Sequence, residues 1–140
     1  MTEPSAPYVL DRQVGFLMRR ANQRHLALFA QAIPDLTPTQ FAALAKLCEL
    51  GQASQNALGR ATAMDAATIK GVADRLRRRG LIVASVDPAD NRRVLLEPTA
   101  EGRATFTRLA PIARRITEST LSPLAASERA VLLDLLDRLA

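Results

Sequence analysis

The chain has 140 residues, 48 % of them hydrophobic, which is enough apolar material for one packed domain and argues against a disordered chain. Nineteen Lys and Arg against fourteen Asp and Glu give a net charge of +5, which favours a polyanionic partner. A single cysteine excludes an intramolecular disulfide, and no stretch approaches the roughly 20 apolar residues of a membrane span, so we expect a cytoplasmic protein.

The N-terminal part of the chain predicts an arm followed by two helices. Residues 1–7 hold two prolines and little apolar surface, so we expect a loosely docked arm. From Tyr8 to about Ile33 the apolar residues recur at helical spacing, which predicts one long helix. Thr37 to Gln40 form a capping box with proline at the first helical position, and they open a helix that ends at Gly51.

A second face of the first helix places an aromatic residue between arginines. Phe16 has Arg19 and Arg20 about one helical turn away, and Arg12 lies one turn before it. Such a face could hold an anionic aromatic ligand by stacking and paired hydrogen bonds. A solvated face, or ion pairs within a dimer, is the more ordinary interpretation.

Residues 54–79 have the pattern of a helix-turn-helix. Ser54 is a candidate N-cap of a short helix, residues 62–64 form the connection, and Asp65 is a candidate N-cap of the next helix. The second helix has one narrow apolar stripe, made of Ile69, Val72, Ala73 and Leu76. In helix-turn-helix proteins the second helix enters the major groove by its N-terminal residues.

The opposite face of this second helix is nearly bare at its start and cationic at its end. Gly71 is unusual there, because an interior glycine costs a helix about 1 kcal/mol relative to alanine. A missing side chain would let the helix backbone approach a base or sugar closely, and neutral drift is the alternative explanation. Between Arg60 and Arg93 eight basic residues stand against four acidic ones, so most of the charge excess lies in this part of the chain.

A β-hairpin is predicted after the second helix. Gly80 ends the helix, and the β-prone runs Leu81 to Val86 and Arg92 to Glu97 are joined by the turn sequence DPADN. Asp90 lies two residues before Arg92 and can orient its guanidinium group toward the minor groove of A·T-rich DNA. Because strand side chains alternate, we expect one of Arg92 and Arg93 to face DNA and the other to face the domain.

The C-terminal part of the chain predicts two further helices. Thr99 begins a helix that contains Pro111, which should kink it, and a leucine-rich helix follows from about Ala125. The helices at both ends of the chain carry more apolar surface than one winged-helix domain could bury. A twofold dimer in which these helices interlock would cover that surface.

The block GLIVASVDPADNRRVLLEPTAEG, residues 80–102, resembles the strand, Asp-Pro-x-Asp-x-Arg wing and next helix start of the multiple antibiotic resistance regulator (MarR) family. LTPTQFAALAKL, residues 36–47, resembles the second helix of that family. The resemblance implies a mainly α fold with a small β-wing: a winged helix-turn-helix with an α-helical dimerisation region built from the N- and C-terminal helices. Two positions depart from the family pattern. Asn91 stands where a basic residue is usual, and Pro98 stands where a leucine is usual and should shorten the strand.

The resemblance also implies that different regions of one domain, residues 1–140, serve dimerisation and DNA binding. We expect residues 8–33 and 99–140 to form the dimerisation region and residues 37–98 to bind a pseudo-palindromic operator in double-stranded DNA. The residues predicted to form the DNA-binding site are Ser54, Gln55, Asn56, Ala66, Ala67, Thr68, Lys70, Arg75, Asp90, Arg92 and Arg93.

The block SQNALGRATAMDAATIKGVADRLRRRGL, residues 54–81, resembles a MarR subgroup that controls the catabolism of aromatic acids. This implies a repressor released by an aromatic acid or its coenzyme A thioester. The candidate ligand-lining residues are Phe16, Arg19, Arg20, Phe41 and Phe106. The alternative is a regulator that responds to redox change or to a protein partner. Cys48 is then either a redox sensor or, as we favour, a small buried residue.

Residues suited to catalysis or to metal binding are scarce in the sequence. It has one histidine, no glycine-rich phosphate loop and no His, Cys or carboxylate spacing typical of a metal site. We therefore expect a protein that is not an enzyme and that needs no cofactor.

Overall fold

The computed structural model describes residues 6–140, which form six α-helices and one three-stranded antiparallel sheet after a 3-10 turn at Leu10–Arg12. The helices are α1 Val14–Ala32, α2 Pro38–Leu50, α3 Gln55–Ala61, α4 Ala66–Arg78, α5 Ala100–Leu121 and α6 Ala126–Arg138. The strands are β1 Ala53–Ser54, β2 Ile82–Asp87 and β3 Asp90–Pro98, in the order β1-β3-β2. The predicted winged helix-turn-helix is confirmed. Residues 1–5 of the predicted N-terminal arm lie outside the described residues.

The first helix begins later than the sequence predicted. The chain from Val9 to Gln13 forms the 3-10 turn, and Gln13 is the extended N-cap residue of α1, with φ −90° and ψ 136°. The Nε2 atom of Gln13 donates a hydrogen bond to the Val9 carbonyl at 3.0 Å, which closes the turn. The predicted start at Tyr8 was wrong because apolar spacing does not distinguish a single 3-10 turn from the first turn of an α-helix.

The helix ends follow the capping residues read from the sequence. Thr37 Oγ1 accepts a hydrogen bond from the Gln40 backbone N–H, and Gln40 Oε1 accepts one from the Thr37 N–H, both at 3.2 Å. Gly51 and Gly80 follow helices with φ of 81° and 72°, the left-handed conformation that glycine adopts most easily. Side-chain caps also begin α3, α4 and α5, at Ser54, Asp65 and Thr99.

The sheet differs from the prediction in three details. β1 has only two residues, too few to give a pattern, and it pairs with β3 through Ala53 and Leu96. Asn91 lies in β3 rather than in the turn, because Asp87 and Asp90 pair and leave a two-residue loop. Pro98 does not shorten the strand, since it is the last residue of β3 and pairs with Ile82.

The hydrophobic core lies where the sheet, the C-terminal part of α1 and helices α2 to α5 meet. Each fully buried leucine or isoleucine contributes about 1.5–3 kcal/mol relative to an exposed one. The largest fully buried side chains are Ile33, Leu44, Leu47, Leu58, Ile69, Leu76, Ile82 and Leu96. Pro111 lies inside α5, and the predicted kink there stays a prediction.

Both ends of the chain leave apolar surface uncovered. None of the thirteen residues of α6, all of them described, is buried. On α1, Leu17 and Met18 are 44 % and 47 % exposed, although the sequence places them on an apolar stripe. An apolar groove of about 410 Å³ runs between α1, α5 and α6, and Met18, Leu132 and Leu136 are among its lining residues. Within residues 6–140 the helices are too short or too polar to cross a bilayer.

Candidate nucleic-acid interface and effector region

Helix α4 presents to solvent the face that the sequence predicted for DNA. Its apolar stripe, Ile69, Val72, Ala73 and Leu76, is buried against the core. The predicted contact residues Ala66, Ala67, Thr68, Lys70 and Arg75 are all exposed. Gly71 lies on the same side, and the nearest atom to a Cβ built on it would be Nη1 of Arg75 at 3.8 Å. The backbone of α4 at Gly71 and the side chains around it are therefore accessible from solvent.

The start of α4 is fixed by Asp65. Its Oδ1 atom accepts a hydrogen bond from the Thr68 backbone N–H at 2.7 Å. This bond and further bonds from Thr68 and Ala67 hold the pKa of the Asp65 carboxyl below its ordinary value. The carboxylate stabilises the positive end of the helix dipole, so the first turn of α4 is ordered where a base edge would approach.

Lys70 is paired along the surface of α4. Its Nζ atom lies 3.1 Å from Oδ2 of Asp74, and Nη1 of Arg77 lies 4.0 Å from the other oxygen of Asp74. Exposed pairs of this kind contribute only about 0.3–0.5 kcal/mol. Lys70 can therefore exchange Asp74 for a base or a phosphate at little cost.

A groove of about 470 Å³ separates the start of α3 from the wing. Gln55 and Asn56, both predicted to contact DNA, line it, and so does Arg60, which the sequence analysis did not assign to the site. Arg60 lies one turn after Asn56 on α3, and this spacing was the available signal. Ser54 is only 7 % exposed and its Oγ atom accepts from the Ala57 N–H at 3.1 Å. Ser54 thus caps α3, as the sequence predicted, and it also lines the groove; its predicted contact with DNA stays a prediction.

The wing carries two arginines held by aspartates. Asp90 Oδ1 accepts from the backbone N–H of Arg92 at 3.0 Å and from its Nε at 3.2 Å. These bonds lower the pKa of the Asp90 carboxyl. Asp87 Oδ2 lies 3.8 Å from Nη1 of Arg93. The side chains of Arg92 and Arg93 are 88 % and 54 % exposed, and the expectation that one of them faces DNA and the other faces the domain stays a prediction. Both line the groove beside α3, because the hairpin tip extends beyond the packed core.

The predicted ligand-lining residues fall into two groups. Phe41 and Phe106 have ring centroids 6.1 Å apart, and Phe41 also makes an edge contact with Phe29 at 6.1 Å. At the other end of α1, the Arg20 guanidinium lies 5.9 Å from the Phe16 ring centroid, and Arg19 is exposed. Phe16 and Phe29 are thirteen residues apart on α1, which corresponds to about 20 Å along the helix axis. One protomer does not bring the two groups together.

The polar residues between these groups tie α1 to α5. Arg24 donates to the backbone carbonyls of Thr120 and Ser119 at 2.6 and 2.8 Å. Nδ1 of His25 lies 2.8 Å from the Thr120 hydroxyl oxygen, so His25 has a hydrogen-bond partner on α5.

Cys48 is half-buried on α2 and packs against the hydrophobic core. Burial raises the pKa of the Cys48 thiol, and the nearby Arg103 guanidinium opposes that rise. The protonated thiol is the less reactive form, which favours the interpretation of Cys48 as a small buried residue. The position of Arg103 could not be predicted from the sequence, because Arg103 approaches Cys48 only through the packing of α5 on α2.

Known proteins match this chain along most of its length. The model of the MarR family matches residues 36–94. The HTH-type transcriptional repressor NicR of Pseudomonas putida is 43 % identical, over 96 % of this chain and 87 % of NicR. The chain belongs to the MarR family.

Solved structures of MarR-like regulators superpose closely on this fold. A probable transcriptional regulator from Pseudomonas aeruginosa is 53 % identical, with a TM-score of 0.92 over 94 % of this chain and 100 % of that one. BpsR of Bordetella bronchiseptica, whose DNA binding is regulated by 6-hydroxynicotinic acid, is 44 % identical, with a TM-score of 0.92 over 96 % of this chain and 97 % of BpsR. The mainly helical fold with its wing is thus shared with regulators of the MarR family.

The two departures from the MarR pattern have different structural consequences. Asn91 is exposed at the start of β3, between the two residues of the Asp90 and Arg92 pair, where a basic side chain would add charge to the wing tip. Pro98 is buried at the end of β3 and leaves the pairing of the strand with Ile82 intact. Of these two departures, only Asn91 alters the exposed surface of the wing.

Proposed function

We propose that this MarR-family chain is a dimeric repressor of aromatic-acid catabolism genes that leaves its operator when it binds an aromatic acid or its coenzyme A thioester. It acts in the cytoplasm by binding rather than by catalysis. The observation that carries the proposal is the pairing of an open, sparsely decorated face on α4 with an arginine wing whose tip residue Arg92 is oriented by Asp90.

For DNA binding, the support lies in how the two elements complement each other. The bare first turns of α4 allow a close approach to base edges in the major groove, and Thr68, Lys70 and Arg75 supply the polar contacts. Arg92 is a planar cation on a thin hairpin, which suits a narrow minor groove. Gln55, Asn56 and Arg60 on α3 supply phosphate contacts that set the register of the helix on the duplex.

For dimerisation, the support is the uncovered apolar surface of α1, α5 and α6. Residues 8–33 and 99–140 contribute it, and a second copy of the chain would bury both sets at once through a twofold axis. Two protomers then present two α4 helices to successive major grooves of a pseudo-palindrome.

For the effector, the support is the similarity to BpsR, which 6-hydroxynicotinic acid regulates, together with the placement of aromatic and arginine side chains on this chain. Phe41 and Phe106 offer a flat apolar surface, while Phe16, Arg19 and Arg20 offer stacking and carboxylate binding. Because the groups are separated along α1, either one group lines the site or the two groups meet from different protomers.

The test is binding of the purified protein to the DNA upstream of its own gene, followed by fluorescence anisotropy as salt is varied. A protein that neutralises several DNA phosphates should bind less tightly as the salt concentration rises. On a plot of log affinity against log salt concentration, the slope should be about −0.9 per phosphate contacted. The same complex is then titrated with 6-hydroxynicotinic acid, other hydroxylated aromatic acids and their thioesters. A flat salt dependence would contradict DNA recognition, and binding that no acid or thioester weakens would contradict the effector class.

The alternative is a regulator that responds to redox change. Substitution of Cys48 distinguishes this alternative from a regulator that responds to an aromatic effector. If an aromatic effector acts, Cys48→Ser retains release by that effector, and oxidant has little effect on operator binding. A response to oxidant that Cys48→Ser abolishes would favour the alternative instead.

A further inference from the structure

The C-terminal end of α4 is bonded to two different segments of the chain. Arg79, the C-cap residue of α4, donates a hydrogen bond from Nη1 to the backbone carbonyl of Asp35. Asp35 lies in the segment 33–37 that joins α1 to α2. On the other side, the Thr99 hydroxyl donates to the Gly80 carbonyl at 2.7 Å. Helix α4, the reading helix, is thus linked to two of the three helices that we assign to the dimerisation region, α1 and α5.

The link to α5 is stiff. Beyond the Thr99 hydroxyl bond, the Thr99 backbone N–H donates to the Leu81 carbonyl at 3.0 Å. A Cβ atom built on Gly102 would lie 1.9 Å from the Leu81 carbonyl oxygen, so the first turn of α5 rests directly on the backbone of residue 81. With backbone against backbone there is no gap to take up a shift, and α4 must move together with the start of α5.

The link to the segment after α1 includes the side-chain bond from Arg79, in addition to packing within the shared hydrophobic core. Ile33 and Leu36 are buried and anchor the joining segment to the core, while Asp35 and Arg79 are exposed. A groove of about 330 Å³ lies along this segment, lined by residues that include Phe29, Ile33 and Gln40. The joining segment therefore has room to shift, and Arg79 is the side chain through which such a shift reaches the end of α4.

We infer that Arg79 is a positioning residue that holds the reading helix at a set angle to the segment following α1, and that it passes displacements of α1 on to α4. The inference rests on the proposed function, in which effector binding alters the spacing of the two α4 helices. The bond needs a donor that reaches the Asp35 carbonyl. Replacing the arginine with a neutral, shorter side chain would remove this bond at the C-terminal end of α4, while the packing of α4 on α2, α3 and β2 remains.

The competing role for an arginine at this place is a direct phosphate contact. The two roles differ in their dependence on salt. Loss of a phosphate contact reduces the salt slope by about one, whereas loss of a positioning bond lowers operator affinity and leaves the slope unchanged. Arg78 provides a matched comparison, since it carries the same charge one residue earlier and makes no side-chain hydrogen bond within residues 6–140.

The first experiment compares Arg79→Gln, Arg79→Lys and Arg78→Gln by hydrogen exchange on the free protein, which needs neither operator nor effector. We expect Arg79→Gln to speed exchange about threefold or more in the peptides that cover residues 33–37 and 76–81, with no change in α2 or α6. Arg79→Lys retains a donor and should exchange like the wild type, as should Arg78→Gln. Unchanged exchange in Arg79→Gln would overturn the inference.

The second experiment measures operator affinity against salt, and then again with 6-hydroxynicotinic acid present. We expect Arg79→Gln to bind the operator about three- to tenfold more weakly with an unchanged salt slope, and the acid to weaken its binding several-fold less than it weakens wild-type binding. A slope reduced by about one would assign Arg79 to phosphate instead. If the acid fails to release the wild type, the proposed effector is wrong, while affinity, slope and exchange still decide the role of Arg79.

Discussion

Asp90 holds Arg92 at two points: its Oδ1 atom accepts from the backbone N–H at 3.0 Å and from Nε at 3.2 Å. The arginine is therefore oriented before any ligand arrives, although its side chain is almost entirely exposed. An oriented guanidinium loses less conformational entropy on binding than a free one does. The pair places the negative charge beside the wing tip, where it also weakens attraction to an arbitrary phosphate.

Replacing Asp90 should therefore reduce discrimination more than it reduces affinity. We expect Asp90→Ala to narrow the ratio between operator and unrelated DNA affinity by about three- to tenfold, since orientation is lost while net positive charge rises. Arg92→Ala should weaken binding to both DNAs. Anisotropy titrations on the two duplexes at one salt concentration measure this, and an unchanged ratio in Asp90→Ala would contradict the orienting role.

Replacing Gly71 with alanine should raise the stability of the protein and weaken its binding to DNA. Alanine at this helix position meets only the Arg75 side chain, at 3.8 Å, so Gly71→Ala should stabilise the protein by up to about 1 kcal/mol. If the backbone of α4 approaches DNA here, the same change should weaken operator binding by about tenfold. Thermal unfolding and anisotropy together test this, and equal affinity would favour neutral drift as the reason for the glycine.

Gly102 and Gly15 should respond to alanine in opposite directions. At Gly102 the added Cβ would lie 1.9 Å from the Leu81 carbonyl oxygen, so α5 and the start of β2 must separate. Overpacking of this kind costs about 1–3 kcal/mol, and occasionally more. Gly15 has nothing within 4 Å of its Cβ position, and Gly15→Ala should be neutral or stabilising. Denaturant unfolding of the two variants provides the comparison, and similar stability would show that the contact relaxes without cost.

Asp65 should make the stability of α4 sensitive to acid. Its pKa is lowered in the folded state, so its stabilising effect is complete above the unfolded value of about 3.9 and is lost as pH falls through the folded value. Asn is nearly as good an N-cap and does not titrate. We expect wild type to be more stable than Asp65→Asn near pH 6 and to lose that advantage in acid, once the pH has fallen through the lowered pKa of Asp65. A difference in Tm that is the same at both pH values would contradict the prediction.

A charge on the apolar surface of α6 should dissociate the dimer. Leu136 is 42 % exposed and lines the groove between α1, α5 and α6, so Leu136→Glu would bury a carboxylate in the proposed interface. Leu50 is 51 % exposed at the end of α2 and serves as the control. Light scattering should report a monomer for Leu136→Glu and a dimer for Leu50→Glu. A dimer in both would mean that α6 lies outside the interface.

The elements that sequence patterns predicted well are those specified by local chemistry. The capping box at Thr37, the caps at Ser54 and Asp65, and the left-handed glycines Gly51 and Gly80 each satisfy backbone groups within a few residues. Such signals are complete within a short stretch of chain. The two residues of β1 were missed because their pairing depends on the distant strand β3. The N-terminal end of α1 was misplaced because apolar spacing does not distinguish a 3-10 turn from the first turn of an α-helix.

The candidate DNA site divides in the same way. The exposed face of α4 follows from helical periodicity, and the bond between Asp90 and Arg92 follows from their spacing. Arg60 lies at the candidate site because α3 packs beside the wing. The two groups of predicted ligand-lining residues lie near opposite ends of α1. Side chains that share a chemical character do not thereby share a location.

The amino-acid sequence by itself determined the order of elements, the two faces of α4, the arginine wing and the family. Those properties arise from residues that are close together in the sequence, and the regular geometry of the backbone sets how such residues lie relative to one another. Only the tertiary structure decided that Gly102 lies against Leu81, that Arg79 reaches Asp35 and that Arg103 lies near Cys48. Each of those contacts joins segments at least 20 residues apart, and only the packing of the whole chain sets their distance.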